Sequence, residues 1–126
     1  MRDIEDVGRA IIGAAIEVHR NLGPGLLESA YQRAREWELR HPGLAVECEK
    51  PMPVRYKDVD IDAGYRLDML VEGMIVVENK AVRLLDPVHE AQLITYLKLS
   101  GCRLGYLINW NVPLLKDGIK RIVNGL

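Results

Sequence analysis

R-L-D-M-L-V-E-G-M-I-V-V-E-N-K-A-V, from Arg66 to Val82, is the stretch on which the reading of this chain turns. Two apolar runs meet at Glu72-Gly73, which predicts a pair of strands, about Tyr65 to Val71 and Met74 to Val82. Each run carries a costly exception. Asp68 interrupts the first, and Glu78 with Lys80 breaks the end of the second. Charged groups rarely enter apolar strands unless something pairs with them or uses them.

Strand residues alternate faces. Leu67, Met69, Val71, Ile75, Val77 and Asn79 share one face, and Asp68, Leu70, Val76, Glu78 and Lys80 the other. This grouping requires a connection of odd length, such as a three-residue loop with Gly73 in the left-handed region. A two-residue turn would send Asp68 and Glu78 to opposite faces. With the odd loop, two carboxylates and a lysine lie on adjacent strands, able to hold a divalent metal ion beside a scissile phosphate. Mg²⁺ takes hard oxygen ligands, usually one or two carboxylates, with water and phosphate completing the shell. Asp68 and Glu78 suit that demand, and the carbonyl of Asn79 offers another oxygen. The Lys80 ammonium is placed to position the attacking water or to stabilise charge developing on the phosphorus centre. The spacing D-x9-E-x-K is loose, and an Asp/Glu–Lys ion pair at a sheet end is the competing reading.

Working outward, Ile4, Val7, Ile11, Ala14, Ala15 and Val18 recur at helical spacing and predict a helix from about Asp3 to Arg20. Asn21-Leu22-Gly23-Pro24-Gly25 stops it. A second helix is expected from about Gly25 to Arg40, with Leu27, Ala30, Tyr31, Ala34 and Trp37 inward. Leu44 to Lys50 alternates as a strand. Pro51 and Pro53 argue for an edge position, and Met52 to Tyr56 with Val59 to Ile61 reads as a hairpin. Asp86-Pro87 starts a helix that Gly101 ends. Arg103 to Trp110 is a last apolar strand, and Lys116 to Val123 is expected as a short helix with a basic outer face. The order predicts an α/β sandwich with a central mixed sheet flanked by helices.

The chain has 126 residues and a formal net charge of −1, which suits one domain with a proper core. It gives no bulk electrostatic case for gripping nucleic acid. Cys48 and Cys102 are expected to be buried free thiols in a reducing compartment. No apolar h-region or spanning run is present, so a cytoplasmic protein with no membrane partner is expected. No P-loop, dinucleotide fingerprint, zinc spacing or G-x-S-x-G occurs, which removes those enzyme classes.

D-x9-E-x-K at the end of a strand pair resembles the core of the PD-(D/E)xK nuclease superfamily. G-L-L-E-S-A-Y, from Gly25 to Tyr31, matches the G-x-x-E-x-x-Y signature of the small bacterial GxxExxY proteins grouped with that fold. The likeness extends through G-A-A-I-E-V-H, L-D-P-V-H-E-A-Q-L-I-T-Y-L-K-L and N-V-P-L-L-K-D-G-I-K-R, nearly the whole chain. The resemblance implies a single domain over 1–126 with a restriction-endonuclease-like core. It implies a nuclease using Mg²⁺ or Mn²⁺ on DNA or RNA, with Asp68 and Glu78 as metal ligands and Lys80 as the catalytic lysine. Glu28 resembles the extra acidic residue that completes a metal shell or orients water. Gln92 resembles the glutamine on the helix after the E-x-K strand, and Tyr96 and Tyr31 are expected to contact phosphate or support the site.

In this sequence the middle of E-x-K is Asn79 where an apolar residue is usual. It faces the apolar side and needs a partner there, since an unpartnered buried amide costs about 1–3 kcal/mol. His89, three before Gln92, is a further candidate on that helix. His19 and His41 lie at helix ends and carry no assigned catalysis. Arg33, Arg35, Lys116, Lys120 and Arg121 are read as exposed charges that could form a basic rim. The alternative to catalysis is an inactive nuclease-fold domain that binds nucleic acid or a protein partner. The short chain leaves little surface to grip a duplex, which makes room for a homodimer or a protein partner.

Overall fold

Asp3 opens the first helix: its carboxylate accepts from the Glu5 N–H at 3.0 Å, satisfying one of the orphan donors of a helix start. The computed structural model describes residues 2–126. The helix, α1, spans Ile4–Leu22 and buries Val7, Ile11, Ala15 and Val18 along one stripe. The second helix, α2, spans Glu28–Arg40 and so begins three residues later than the spacing suggested. The intervening turn is held open by Tyr31. Its hydroxyl donates to the Gly23 carbonyl at 2.6 Å and accepts from the Leu26 N–H at 3.0 Å.

The inward stripe of α2 also differs from expectation. Tyr31, Arg35 and Leu39 are buried, at i, i+4 and i+8, whereas Leu27 is 78% exposed and Trp37 61% exposed. A guanidinium at Arg35 reads as a solvated charge, and that reading rotates the predicted stripe. The fold instead turns Arg35 into the core, because a polar partner waits there.

The strands follow as β1 (Val46–Pro51), β2 (Val54–Tyr56), β3 (Val59–Ile61), β4 (Arg66–Val71) and β5 (Ile75–Lys80). Then come α3 (Pro87–Ser100), β6 (Leu104–Asn109), a 3₁₀ turn at Leu115–Gly118 and β7 (Ile119–Val123). Five of the strands form one mixed sheet in the order β1-β4-β5-β6-β7, with β2 and β3 apart as a small exposed hairpin. Only the β5–β6 pair is parallel, and α3 is its crossover. Asp86 caps α3 by accepting from the Val88 N–H, while the His89 ring nitrogen accepts from the Asp86 N–H. His89 is therefore spent on the cap and does not join Gln92.

Of the expected last helix, Lys116 to Gly118 lie in the 3₁₀ turn and the rest is a strand. Ile119 packs on the α1–α2 side of the sheet and Ile122 on the α3 side, in the register Ile108↔Ile119 to Leu104↔Val123, and that pairing overrides any helical tendency. Gly118 makes the return possible, since a Cβ there would stand 2.3 Å from the Asn109 carbonyl oxygen. Lys120 and Arg121 are spent on ion pairs with Glu90 and Glu5.

α1 and α2 cover the sheet face formed by Met69, Val71, Ile75, Val77, Tyr106 and Ile108. α3 covers the opposite face, packing Leu93 and Leu97 on Leu70, Val76 and Leu107. β1 is an edge strand, as Pro51 suggested. Cys48 and Cys102 are free thiols. Among the described residues no helix is long and apolar enough to cross a membrane.

The β4–β5 connection meets the parity condition. The register is Met69↔Val77, Leu70↔Val76 and Val71↔Ile75, which leaves Glu72, Gly73 and Met74 outside the ladder. Glu72 (φ 53°) and Gly73 (φ 64°) make a tight turn closed by the Met74 N–H on the Val71 carbonyl at 3.0 Å, and Met74 is the extra residue. The strain at Glu72 is held from both ends. Its N–H donates to the Ala45 carbonyl at 2.8 Å, and its carboxylate accepts from the Ala45 N–H at 2.7 Å and from Arg2 at 3.2 Å.

At Gly105 of β6 the side chains of α3 pack close, since a Cβ would meet those of Leu93 and Leu97 at 3.1 and 3.2 Å. Gly105→Val is expected to cost about 1–3 kcal/mol by overpacking. Gly13→Ala, where a Cβ meets nothing within 4 Å, is expected to raise stability by about 0.5–1 kcal/mol. Urea titrations of the two variants check both signs.

Candidate active site

The ladder between β4 and β5 ends at Met69↔Val77. Opposite the next position, Glu49 of β1 adopts φ 53° and makes no ladder pair with Asp68, although the register is unchanged on either side, Cys48↔Met69 and Lys50↔Leu67. Leu67 then packs with the α3-side cluster, so the simple alternation breaks one residue before Asp68. Asp68 consequently does not stand off one face. Its Oδ2 accepts from the Asn79 N–H at 2.8 Å, where a strand carbonyl would otherwise sit. Glu78 reciprocates, its Oε1 accepting from the Asp68 N–H at 3.3 Å. The two carboxylates therefore occupy the gap between the splayed strands.

Glu78 is only 4% exposed. Burial, and next the neighbouring Asp68 carboxylate, push the Glu78 carboxyl up to about 9. Lys80, half-buried at the end of β5, offsets this least. At neutral pH burial thus favours the neutral form of the Glu78 carboxyl. Asn79 adds an oxygen, because the N–H and C=O of one strand residue lie on the same strand edge. This oxygen-only donor set fits a hard divalent cation, whose charge would replace the Glu78 proton. Among the described residues no three His, Cys, Asp or Glu side chains converge as a metal cage.

Glu28, the first residue of α2, reaches the same end of the sheet. It accepts from the Ala81 N–H at 3.1 Å, one residue beyond Lys80. With Ser29, Gln32, Arg33, Glu49 and Asp68 it lines a recess of about 320 Å³. Glu28 therefore stands at the mouth of the carboxylate pair and not within it. Gln92 and Tyr96 approach from α3, on the other side of the sheet. The Gln92 amide donates to the Tyr96 hydroxyl at 3.1 Å, and Tyr65 meets the Tyr96 ring edge-on at 6.2 Å. Burial raises the Tyr96 hydroxyl pKa, with Glu78 the next cause and Asp68 a smaller one, so this tyrosine feels the pair's charge. Tyr31 is not brought to the site: it is fully buried and its hydroxyl is committed to the α1–α2 turn.

Asn79 finds the partner its position demanded. It is 1% exposed. Its Oδ1 accepts from Arg35 at 2.7 Å and from the Trp110 indole N–H at 3.1 Å, and its amide donates to Gln32 at 3.1 Å. The Arg35 guanidinium also contacts the Met69 sulfur at 2.8 Å and lies 5.3 Å from the centre of the Trp110 ring. Tyr31 stacks on Trp110 with centroids 4.6 Å apart. Arg35 is completely buried, its Nε and one terminal nitrogen have no partner, and no carboxylate pairs with it among the described residues. Burial draws its pKa down to about 10, and the Asp68 charge opposes that fall. It remains a cation at neutral pH, behind the strand that carries Glu78 and Lys80. The exposed-rim reading of Arg35 is thus overturned. The sequence signal was Asn79, an amide where an apolar side chain belongs; the partners lay 31 to 47 residues away.

The family model described as PD-(D/E)XK nuclease superfamily matches residues 5–122. Neither the curated proteins nor the solved structures contain a match to this chain. The five-stranded mixed sheet with its three helices is consistent with the restriction-endonuclease-like fold of that superfamily.

Two outcomes follow from the charges. A raised Glu78 pKa means that the folded state favours the neutral carboxyl. Its stabilising effect is full below the ordinary value of 4.5 and is lost as pH rises towards about 9. In metal-free protein the thermal midpoint should fall across that window, and Glu78→Gln should flatten the slope. Separately, Asn79→Leu strands a buried guanidinium and should cost about 3 kcal/mol. Adding Arg35→Met should recover part of that loss, which a double-mutant cycle by chemical denaturation reads directly.

Proposed function

We propose that this chain, which belongs to the PD-(D/E)XK nuclease superfamily, hydrolyses nucleic-acid phosphodiester bonds with Mg²⁺ or Mn²⁺. The observation that carries this reading is the carboxylate pair in the strand gap. Two like groups pressed together under burial, with a proton where a cation fits, have no structural advantage over an apolar pair. Asp68 and Glu78 would hold the ion, with the Asn79 carbonyl beside them. When bound, such an ion polarises a phosphoryl oxygen and makes water a better nucleophile.

The chain's own groups have distinct roles in this reading. Lys80, next along β5 on the solvent-reaching end, supplies a positive charge to the phosphate oxygen that becomes more negative as water attacks. Glu28, at the mouth, orients water, and its hold on the Ala81 N–H fixes the end of β5 against α2. Gln92 and Tyr96 hold the substrate backbone from the α3 side. The Arg35–Asn79–Trp110 contacts position β5, so that Glu78 and Lys80 keep their spacing without solvent entering behind them.

The narrower assignment to the GxxExxY proteins rests on Gly25, Glu28 and Tyr31. Their places in the fold support it: Gly25 (φ 100°) and Tyr31 shape the turn that delivers Glu28. Residues 1–126 then act as one nuclease-like domain. A domain that keeps the fold and binds nucleic acid or a protein without cutting is the alternative, favoured by the net charge of −1.

Purified protein with Mg²⁺ or Mn²⁺ should degrade DNA or RNA. Asp68→Asn and Lys80→Ala should each lower the rate by about 10²–10³-fold, the usual loss for removing a charge-stabilising group. Equal residual cleavage in all three proteins would trace the activity to a contaminant. Calorimetric titration with Mg²⁺ should show binding that Asp68→Asn abolishes; no heat at millimolar metal with nucleic acid present would favour the non-cutting domain.

A further inference from the structure

The outward face of α2 carries a feature that the cleavage reading leaves unused. Trp37 is 61% exposed, although its size makes it a natural core residue. His41 stacks on one side of it, with ring centroids 4.7 Å apart and an angle of 18° between planes. Arg33, Glu36 and Arg40 join the two rings around an open recess of about 530 Å³. Arg40 is partly offset by Glu36 at 3.2 Å, but Arg33 makes no ion pair among the described residues. The same Arg33 also lines the recess that holds Glu28 and Asp68. One cation thus links the carboxylate site to an exposed aromatic pair further along the same helix. Trp37 stands nine positions beyond Glu28, roughly 13–14 Å along the axis of α2 and about half a turn round it, with Arg33 between them.

From this arrangement we infer that the α2 face is a strand guide for unpaired nucleic acid, in which a base stacks on Trp37 while Arg33 holds the phosphate leading to Asp68. This rests on the nuclease reading of the carboxylate pair and names its substrate form. The choice of single strand over duplex follows from the charge. Duplex binding relies on neutralising many phosphates with Lys and Arg. A chain of net charge −1 with one uncompensated arginine on this face has too few cations for that. Base–aromatic stacking needs no net charge, tolerates any base and requires that the base be free of its stack. Trp37 on α2, with one indole face already stacked on His41 at the helix C-cap, presents its other side with little ordering cost.

The test uses the two tryptophans as built-in probes, because Trp110 is fully buried and Trp37 is not. Asp68→Asn protein, which keeps the strand intact, is titrated with a short oligothymidylate at low salt. Quenching of the exposed tryptophan is expected. Trp37→Ala in the same background should remove the quenching and weaken binding about tenfold, the usual loss of one stacked base. Trp37→Phe should retain most of the affinity, and Arg33→Ala should weaken binding in a salt-dependent way. A duplex of the same length should compete poorly. Unchanged affinity in Trp37→Ala, or equal competition by duplex, would overturn the guide. So would a tryptophan signal that depends on protein concentration alone, which would mark a contact between two copies.

The two readings fail separately. An oligonucleotide that binds and quenches but is never cut by the wild-type protein with Mg²⁺ removes the catalytic reading and leaves the guide. Cleavage of single strands by Trp37→Ala with unaltered KM removes the guide and leaves the catalysis.

Discussion

One extra residue, Met74, sets the parity of β4 against β5, and with it the opposition of Asp68 and Glu78. The turn before it is strained at Glu72, which no glycine relieves, and the chain holds that strain with three contacts to Ala45 and Arg2. A slip of one residue would move every apolar side chain of β5 to the wrong face. The apolar faces and the acidic pair are thus bound to the same register. Packing of Val71, Ile75 and Val77 under α1 and α2 stabilises the arrangement that also brings two carboxylates together.

Bringing them together has a cost, visible as the raised Glu78 pKa. The fold bears it by splaying β4 from β5, so that Asp68 gains the Asn79 N–H and Glu78 the Asp68 N–H. Behind the gap sits a second costly group, the Arg35 guanidinium. A buried cation without a carboxylate partner is unfavourable in itself. Its favourable terms are the Asn79 amide oxygen, the Trp110 ring and the charge of Asp68. The two costs partly offset one another across the sheet: excess negative charge in front, positive charge behind. Asn79 connects them, because its N–H meets Asp68 and its side chain meets Arg35.

The same helix divides its labour by face. Glu28 closes the mouth of the gap, Arg35 and Tyr31 fill the core beneath it, and Arg33 with Trp37 points to solvent. A helix of 13 residues thereby touches the site, the core and the surface that leads to the site.

Apolar periodicity determined most of the elements: α1, α3, the strand pair and β6 all lie within a few residues of where spacing and caps put them. The pairing parity of Asp68 and Glu78 was also legible, because alternation turns it into a condition on one loop. Tertiary structure decided what periodicity cannot carry. β7 is a strand because β6 offers an open edge, and Lys116 to Val123 read alone could not reveal that edge. α2 is rotated to bury Arg35 because Asn79 and Trp110 wait beneath it, 44 residues away and further. Tyr31 serves a turn, and His89 a cap, through hydrogen bonds that side-chain type alone did not assign. Local sequence carries the repeat of a helix or strand; the direction of a polar side chain depends on which distant group can satisfy it, and only the folded chain brings those groups together.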